Sequence, residues 1–389
     1  MGARLSSRAR RPHRSTGYLI SSTLASAEGR LGPVRQTYAG TDTFPPLAKA
    51  YTDVAKVVRE SGLLGRARKF YLFVGVALAV AFGGVVTGMI LLGDSWFQLL
   101  MAGALGLLFT QVAFLAHEAA HRQILAGGRA NDRLATILAA GVVGISYGWW
   151  DRKHSRHHAN PNRVGKDPDI DVDTISFLDE DAAQARGLRR VITRHQGWLF
   201  FPLLTLEGLN LHVLGLKHLV AREPVKQRWT ELGLIALRFT IYLGAIFWIM
   251  PFGMGMAFLG VQLAVFGVYM GASFAPNHKG MPVIAPDAKL DFFSKQVLTS
   301  RNISGGWWAT TLFGGLNYQV EHHLFPNMPR THLAKTREIV REHCETLGVP
   351  YTETTAWRSY GIVIEYLNRV GLAARDPFDC PAAAEFRRG

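Results

Sequence analysis

The sequence predicts an all-α integral membrane protein: four transmembrane helices in two hairpins, with a helical cap on the cytoplasmic side. Three observations lead there: long runs without charge, very short links between them, and a one-sided distribution of Lys and Arg. A bilayer core about 30 Å thick takes roughly 20 apolar residues to cross. Residues 70–92 carry no charge (FYLFVGVALAVAFGGVVTGMILL). Only Gly93, Asp94 and Ser95 separate them from a second charge-free run, 96–116. A later pair, 232–250 and 253–275, is joined through Pro251 and Phe252, with Arg238 the single charge in its first member. Orientation follows the positive residues, which stay on the cytoplasmic side. Thirteen Lys and Arg precede the first run, and neither hairpin link has any. Both termini and the loop between the hairpins are therefore expected in the cytoplasm.

The remaining segments follow in order. Residues 1–43 read as a basic, disordered segment. Their Arg and Ser content is similar to that of a transit peptide, and Arg10-Arg11 to a twin-Arg signal, but no apolar region and cleavage site follow. The membrane domain is expected over 44–350. It begins with an amphipathic lead-in (Leu47, Tyr51, Val54, Val58) lying on the bilayer. Residues 135–150 are short for a span and are expected to be interfacial or re-entrant. Residues 198–220 are long enough to cross but carry Glu207, Asn210, His212, Lys217 and His218, so one or two interfacial helices are expected. Residues 351–389 read as a cytoplasmic tail.

Composition narrows the function. The formal charge of +14 is mostly a property of the cytoplasmic face and suits anionic membrane lipid. No nucleic-acid-binding motif is present, and none of that binding is expected. Two cysteines, Cys344 and Cys380, are too few for a disulfide framework or a Cys-ligated iron–sulfur cluster.

Histidine is the informative residue. Eight of the fourteen fall in four places: His117 and His121 in HEAAH; His154, His157 and His158 in HSRHH; His278 in APNHKG; and His322 and His323 in QVEHH, behind Gln319. Residues at i, i+3 and i+4 share a helix face, so each group presents its imidazoles to one side. All four places lie on the cytoplasmic side of the topology derived from charge and hydropathy. One pair alone is as often a surface feature as a ligand set; three boxes of matched spacing on one membrane face point to metal. Imidazole suits Zn, Cu, Fe and Ni. H-E-x-x-H on a helix is also the zinc-protease signature, with Glu118 as its base. That site needs three protein ligands, whereas eight imidazoles are about right for two ions. Glu118 and Glu321 are then expected to orient ligating histidines from behind. A His-rich two-metal site at a bilayer points to dioxygen chemistry on a lipid.

HEAAH, HSRHH followed by Asn160-Pro161-Asn162, and QVEHH, set around two hairpins, closely resemble the integral-membrane fatty-acid desaturases of the acyl-CoA or acyl-lipid branch, over about residues 40–350. QVEHH, with Gln where many members have His, is similar to the third box of front-end desaturases and of some actinobacterial acyl-CoA desaturases. The resemblance implies a cap holding a non-haem diiron site, with O2 as co-substrate and two electrons from a reductase chain. It implies a cis double bond placed in a long-chain acyl group. Matching the motifs position by position implies that His117, His121, His154, His157, His158, His278, His322 and His323 bind iron and carry the catalysis. Gln319 and Asn277 are further candidate ligands of lower weight.

The expected location is the plasma membrane of a bacterium. The sequence contains no H-P-G-G of a fused cytochrome b5 and no Rossmann or P-loop fingerprint. The electrons are therefore expected from a separate ferredoxin, cytochrome b5 or flavoprotein reductase. Trp149, Trp150, Trp307 and Trp308 flank boxes, as walls of an acyl tunnel or as interfacial anchors. Arg152, Lys153, Arg156, Arg186, Arg189 and Arg190 are candidate holders of a CoA phosphate or lipid headgroup. DPDIDV lacks the Gly and distal Glu of an EF-hand, so Asp167, Asp169 and Asp171 suit a loop or a support for ligands. The alternative activity is a diiron hydroxylase or ketolase on an alkyl or isoprenoid chain. A non-catalytic membrane binding protein is the rival outside enzymes.

Overall fold

Residues 70–92 form a helix packed along one face and bare on the rest, as suits an apolar segment in lipid. The computed structural model describes residues 37–38, 49–171 and 173–375, so the expected disorder of 1–43 lies largely outside the described residues. α1 is Ala50–Glu60, α2 Arg68–Leu92, α3 Gln98–Ala120 and α4 Gly128–Thr136. In α2 only Tyr71 and Met89 are buried, and Leu72, Phe73, Val80 and Leu91 are exposed. A helix apolar all round and this bare is solvated by acyl chains. α2 and α3 form the first hairpin.

After α4 the chain becomes a π-helix, Ile137–Val143, and stops at Gly144, whose φ of 96° lies in the left-handed region that favours glycine. α5 (Tyr147–Ala159) starts there, with Ser146 capping the Trp149 amide. Residues 135–150, expected to be interfacial or re-entrant, are thus the end of α4, this π-helix and the start of the helix that carries the second box. α6 (Asp179–Ala183) and α7 (Gly187–Arg194) lead to α8 (Gln196–Val220), then α9 (Arg228–Ile249) and α10 (Phe252–His278). Five helices, α2, α3, α8, α9 and α10, are long and apolar enough to cross a membrane, as in a multi-pass membrane protein.

Residues 196–220, where one or two interfacial helices are expected, form one continuous helix. α8 meets α10 through Gly208 and Gly267, where a Cβ at either position would strike the other helix's backbone. Arg238, ambiguous in the sequence, faces the bundle. Its guanidinium lies 4.3 Å from the Tyr242 ring and 5.1 Å from Phe109, and its Nε donates to Val142 O at 3.2 Å. It therefore caps the carbonyl end of the π-helix.

Beyond α10 come α11 (Phe292–Leu298), α12 (Gly306–Leu312), α13 (Gln319–Leu324), α14 (Arg330–Leu347) and α15 (Ala356–Leu372). Two parallel two-residue and three-residue ladders tie distant parts together. β1 (Thr37–Tyr38) pairs with β2 (Val283–Ile284), and β3 (Asn302–Ser304) with β4 (Glu353–Thr355). The segment from 351 is therefore built into the fold as far as α15, which packs on α8 and α10. The lead-in helix α1 also differs from expectation. Its stripe of Ala50, Val54 and Val58 is buried with Phe293, Val297 and Val340, and Tyr51 packs on Phe292 and Phe325. That face is used within the cap and is not free to lie on lipid.

Candidate metal centre

The C-terminal ends of α3 and α5, the last residue of α10 and the short α13 meet at one place. All eight box histidines are brought together there, in two groups. One nitrogen each of His117, His121, His154, His158 and His322 lies within 4.8 Å of the others, and so do those of His157, His278 and His323. His117, His157, His278, His322 and His323 are buried, whereas His121, His154 and His158 are partly exposed.

The spacing suits a shared ion. Two imidazoles about 2.1 Å from one metal and at right angles put their nitrogens about 3 Å apart. The Nε2 atoms of His121 and His154 are 2.9 Å apart, those of His117 and His154 3.1 Å, those of His158 and His322 3.1 Å, and those of His157 and His278 3.3 Å.

The far nitrogens decide which atoms are free. His278 Nδ1 lies 2.9 Å from Thr299 O, and His323 Nδ1 lies 2.9 Å from Gln296 Oε1, whose amide is oriented by donating to His158 O. His157 Nδ1 faces Asp167 Oδ1 at 3.0 Å. These partners only accept, so each Nδ1 donates and each Nε2 keeps a lone pair. His323 Nε2 is buried without a partner. The lone pairs of His157 and His278 face each other and repel unless a cation lies between them. On donor chemistry and spacing, the eight residues fit two metal ions.

Burial and the neighbouring imidazoles hold His154, His158, His322 and His323 well below the usual histidine range, and burial lowers His121 to about 4. Burial also acts on His157, but Asp169 and the Asp167 hydrogen bond outweigh it and raise its pKa.

The surroundings explain the neighbouring motifs. Asp167 is fully buried and accepts from Asn162 N at 2.7 Å and Asp169 N at 2.9 Å. Asp169 pairs with Lys153 at 3.0 Å, and the Lys279 ammonium donates to its carbonyl at 2.7 Å. Asp167 and Asp169 both face His157 Nδ1, at 3.0 and 3.4 Å, so this stretch supports a histidine of the cluster. Arg301, almost fully buried, donates to the Pro276 and Lys279 carbonyls and so clamps the end of α10 that carries His278. Arg301 and Gln296 were not legible as site residues, because their partners lie on other elements.

Gln319 and Asn277 sit beside His278. Asn277 Nδ2 donates to Leu316 O at 2.9 Å and to Gln319 Oε1 at 3.0 Å. This leaves the Gln319 amide nitrogen facing His278 Nε2 at 2.9 Å. Neither carboxylate of the first and third boxes orients a histidine as expected. Glu118 accepts from Arg330, and Glu321 from Asn302 and Tyr351. Burial raises the Glu321 carboxyl to about 7.

A narrow cavity begins at His117 and runs between α3, the π-helix, α5, α8 and α10. Its walls include Ala113, Ala139, Trp149, Trp150, Leu211 and Met270. They are almost wholly apolar, as an alkyl chain requires. Trp149 and Trp150 are therefore walls, whereas Trp307 and Trp308 face outward. Of the basic candidates, Lys153 is paired with Asp169, and Arg189 and Arg190 are bound to carbonyls. Arg152, Arg156 and Arg186 are exposed.

A sequence model described as Fatty acid desaturase matches residues 94–355, more than half of the chain. Among similar proteins, the Delta(8)-fatty-acid desaturase 2 of Arabidopsis thaliana is 26% identical over 85% of this chain and 76% of its own length. The acyl-lipid (9-3)-desaturase of Borago officinalis is 29% identical over 77% of this chain and 69% of its own. A Delta(5) fatty acid desaturase of Caenorhabditis elegans is 27% identical over 84% and 74%.

Proposed function

The chain belongs to the fatty acid desaturase family, and from that premise we propose that it places a cis double bond in a long-chain acyl group, carried on CoA or on a lipid, with O2 as oxidant. The observation that carries the reading is the eight-imidazole cluster opening through His117 into an apolar cavity. The ligands proposed for one iron are His117, His121, His154, His158 and His322, and for the other His157, His278 and His323. When bound, two irons supply the activation of O2 and the removal of hydrogen from two adjacent methylenes.

The chain's own residues do the rest. Asp167, Thr299 and Gln296 hold the Nδ1 protons of their histidines, so Nε2 lone pairs point inward. The Gln319 amide contact to His278 Nε2 would be given up when that nitrogen binds iron. The cavity walls exclude water and fix how deep the chain enters, which selects one methylene pair among chemically alike ones. The balance is one O2, two hydrogens from the acyl chain, two electrons and two protons, giving one double bond and two waters. The two electrons come from a separate ferredoxin, cytochrome b5 or flavoprotein.

The proposed topology keeps four spans, with α8 packed antiparallel along part of α10 and tied to the cap rather than crossing. Both ends of α8 support this. Gln196 donates to Ser176 O and Leu367 O, and Gly215 abuts Ser146, the cap of the box-bearing α5. Both termini are then cytoplasmic, in the plasma membrane of a bacterium, with 44–350 as the membrane domain.

The test is a fatty-acid profile of cells expressing the chain and a competent reductase, with double bonds located by mass spectrometry, beside a His322→Ala control. A new unsaturated species absent from the control is expected. Oxygenated products instead would replace this reading with a hydroxylase or ketolase.

A further inference from the structure

The basic side chains near the metal centre are not evenly placed. Arg156, Arg163, Lys166 and Lys295 gather where α5 ends and its loop meets α11. Arg156 reaches Lys166 O at 3.5 Å, Arg163 donates to Pro286 O at 2.7 Å, and Lys295 donates to Ala159 O at 2.6 Å. Among the described residues none of the four has a carboxylate within ion-pair distance, while Lys153, Arg330 and Arg337 each do. Arg163 and Lys166 also depress the Lys295 ammonium, second to its burial. Four like charges left uncompensated cost stability and raise the local positive potential.

Their position matters more than their number. Lys295 binds the carbonyl of Ala159, the residue after His158, and the next residue, Gln296, bonds both His158 O and His323 Nδ1. The patch therefore stands one residue from ligand candidates of both groups. The acyl cavity lies at the other end of α5, at Tyr147, Trp149 and Trp150. Ten residues of helix separate Trp149 from Ala159, about 15 Å. None of the five apolar helices contributes to the patch, and α11 packs on α1 and α13 of the cap, which places it away from lipid.

The geometry points to the surface of Arg156, Arg163, Lys166 and Lys295 as the docking site of an acidic electron-transfer protein serving the histidine cluster. The inference rests on the desaturase reading, and it gives substrate and electrons opposite ends of α5. Each docked donor loses one electron. Two dockings supply the two electrons that, with two protons from water, complete the reduction of O2 to water.

The probe is an acidic plant-type ferredoxin, offered to the full chain purified with its metal and to an Arg156→Glu/Lys166→Glu variant. Wild-type binding is expected to weaken severalfold as ionic strength rises from about 0.02 M to about 0.2 M. The variant is expected to bind at least tenfold more weakly at low salt and to lose the salt dependence. Its iron content and thermal unfolding report folding. If it misfolds, Arg156→Gln/Lys166→Gln takes its place, with a smaller loss in the same direction. Ferredoxin binding that ignores salt and charge reversal, or no binding by wild type, overturns the docking site. So does a variant that keeps ferredoxin but releases vesicles containing anionic lipid, since the patch would then be a lipid contact. Reduced riboflavin, a neutral reductant that needs no docking, separates the two readings. Its failure to drive any product from the wild type counts against desaturation, while the binding measurements still decide the docking site.

Discussion

Glu118 and Arg330 form a two-pronged ion pair, with Arg330 Nε 2.8 Å from Glu118 Oε1 and the terminal nitrogen 2.7 Å from Oε2, across 212 residues of sequence. Tyr71 OH completes the site, 3.3 Å from Oε1. In a zinc protease the Glu of H-E-x-x-H must be free to take a proton from water. This one is buried and held. Breaking such a pair leaves a lone buried charge and costs about 3–5 kcal/mol. Glu118→Ala should therefore lower the unfolding temperature by several degrees, and Glu118→Leu/Arg330→Met should recover much of it. Thermal unfolding in detergent checks this. A stable Glu118→Ala chain would mean that the pair is not formed.

Asp167 holds the Nδ1 of His157, and through it the orientation of one proposed iron ligand. Asp167→Asn keeps the shape but offers His157 an amide that can turn its donor toward Nδ1. Iron affinity should fall about 10–100-fold, with Asp167→Glu less affected. Iron titration with a spectroscopic readout measures it, and unchanged affinity would make the contact merely structural.

Ala113 and Ala139 line the cavity. Ala113→Leu should obstruct long acyl chains, reducing their kcat/KM at least tenfold, and leave shorter chains much less affected. Competition between chain lengths in one reaction tests this. An equal loss for every length would point to general overpacking, which costs about 1–3 kcal/mol.

Stability of the metal-free chain should fall in acid. An unfolded histidine titrates near its ordinary value of about 6.5, whereas burial holds His121 near 4 and keeps His154, His158, His322 and His323 low. Below about 6.5 the unfolded chain binds more protons, so stability drops as pH falls toward 4. His157, raised by its carboxylates, works the other way, adding stability below about 6.5 that fades as pH rises through its folded value. Glu321, raised to about 7 by burial, acts in the same sense as His157, and two groups against five leave the acid loss dominant. Unfolding temperatures at about pH 7.5 and pH 5.5 should differ clearly, and equal values would sink the idea of neutral buried imidazoles.

Arg238 and His212 share the end of the π-helix. Arg238 Nε donates to Val142 O, and His212 Nε2 lies 3.2 Å from Val143 O. Arg238→Met should free a buried carbonyl, costing about 1–3 kcal/mol, and loosen the cavity wall at Val143. The products of the variant should then spread over more than one double-bond position, as mass spectrometry would show. A single unchanged position would confine Arg238 to stability.

Much of this molecule was legible in the residues because the signals are local. Absence of charge over 70–92 and 96–116 is a statement about solvent, and the structure leaves α2 bare on all but one face accordingly. The i, i+3, i+4 spacing of His154, His157 and His158 puts three imidazoles on one helical turn wherever that helix lies. The family likewise followed from three short motifs. Other features depended on contacts between distant residues, for which one sequence holds no signal. The spacing of HSRHH does not say that His157 joins His278 and His323 while its neighbours join His117, His121 and His322; where the ends of α5, α10 and α13 meet decides it. Nothing near Glu118 announces Arg330, and nothing near His323 announces Gln296. The apolar stripe of α1 has the same pattern whether lipid or α14 covers it, and the tertiary fold chose α14. Hydropathy measures how much a segment shuns water. Whether protein or bilayer replaces that water is decided only when the whole chain has packed.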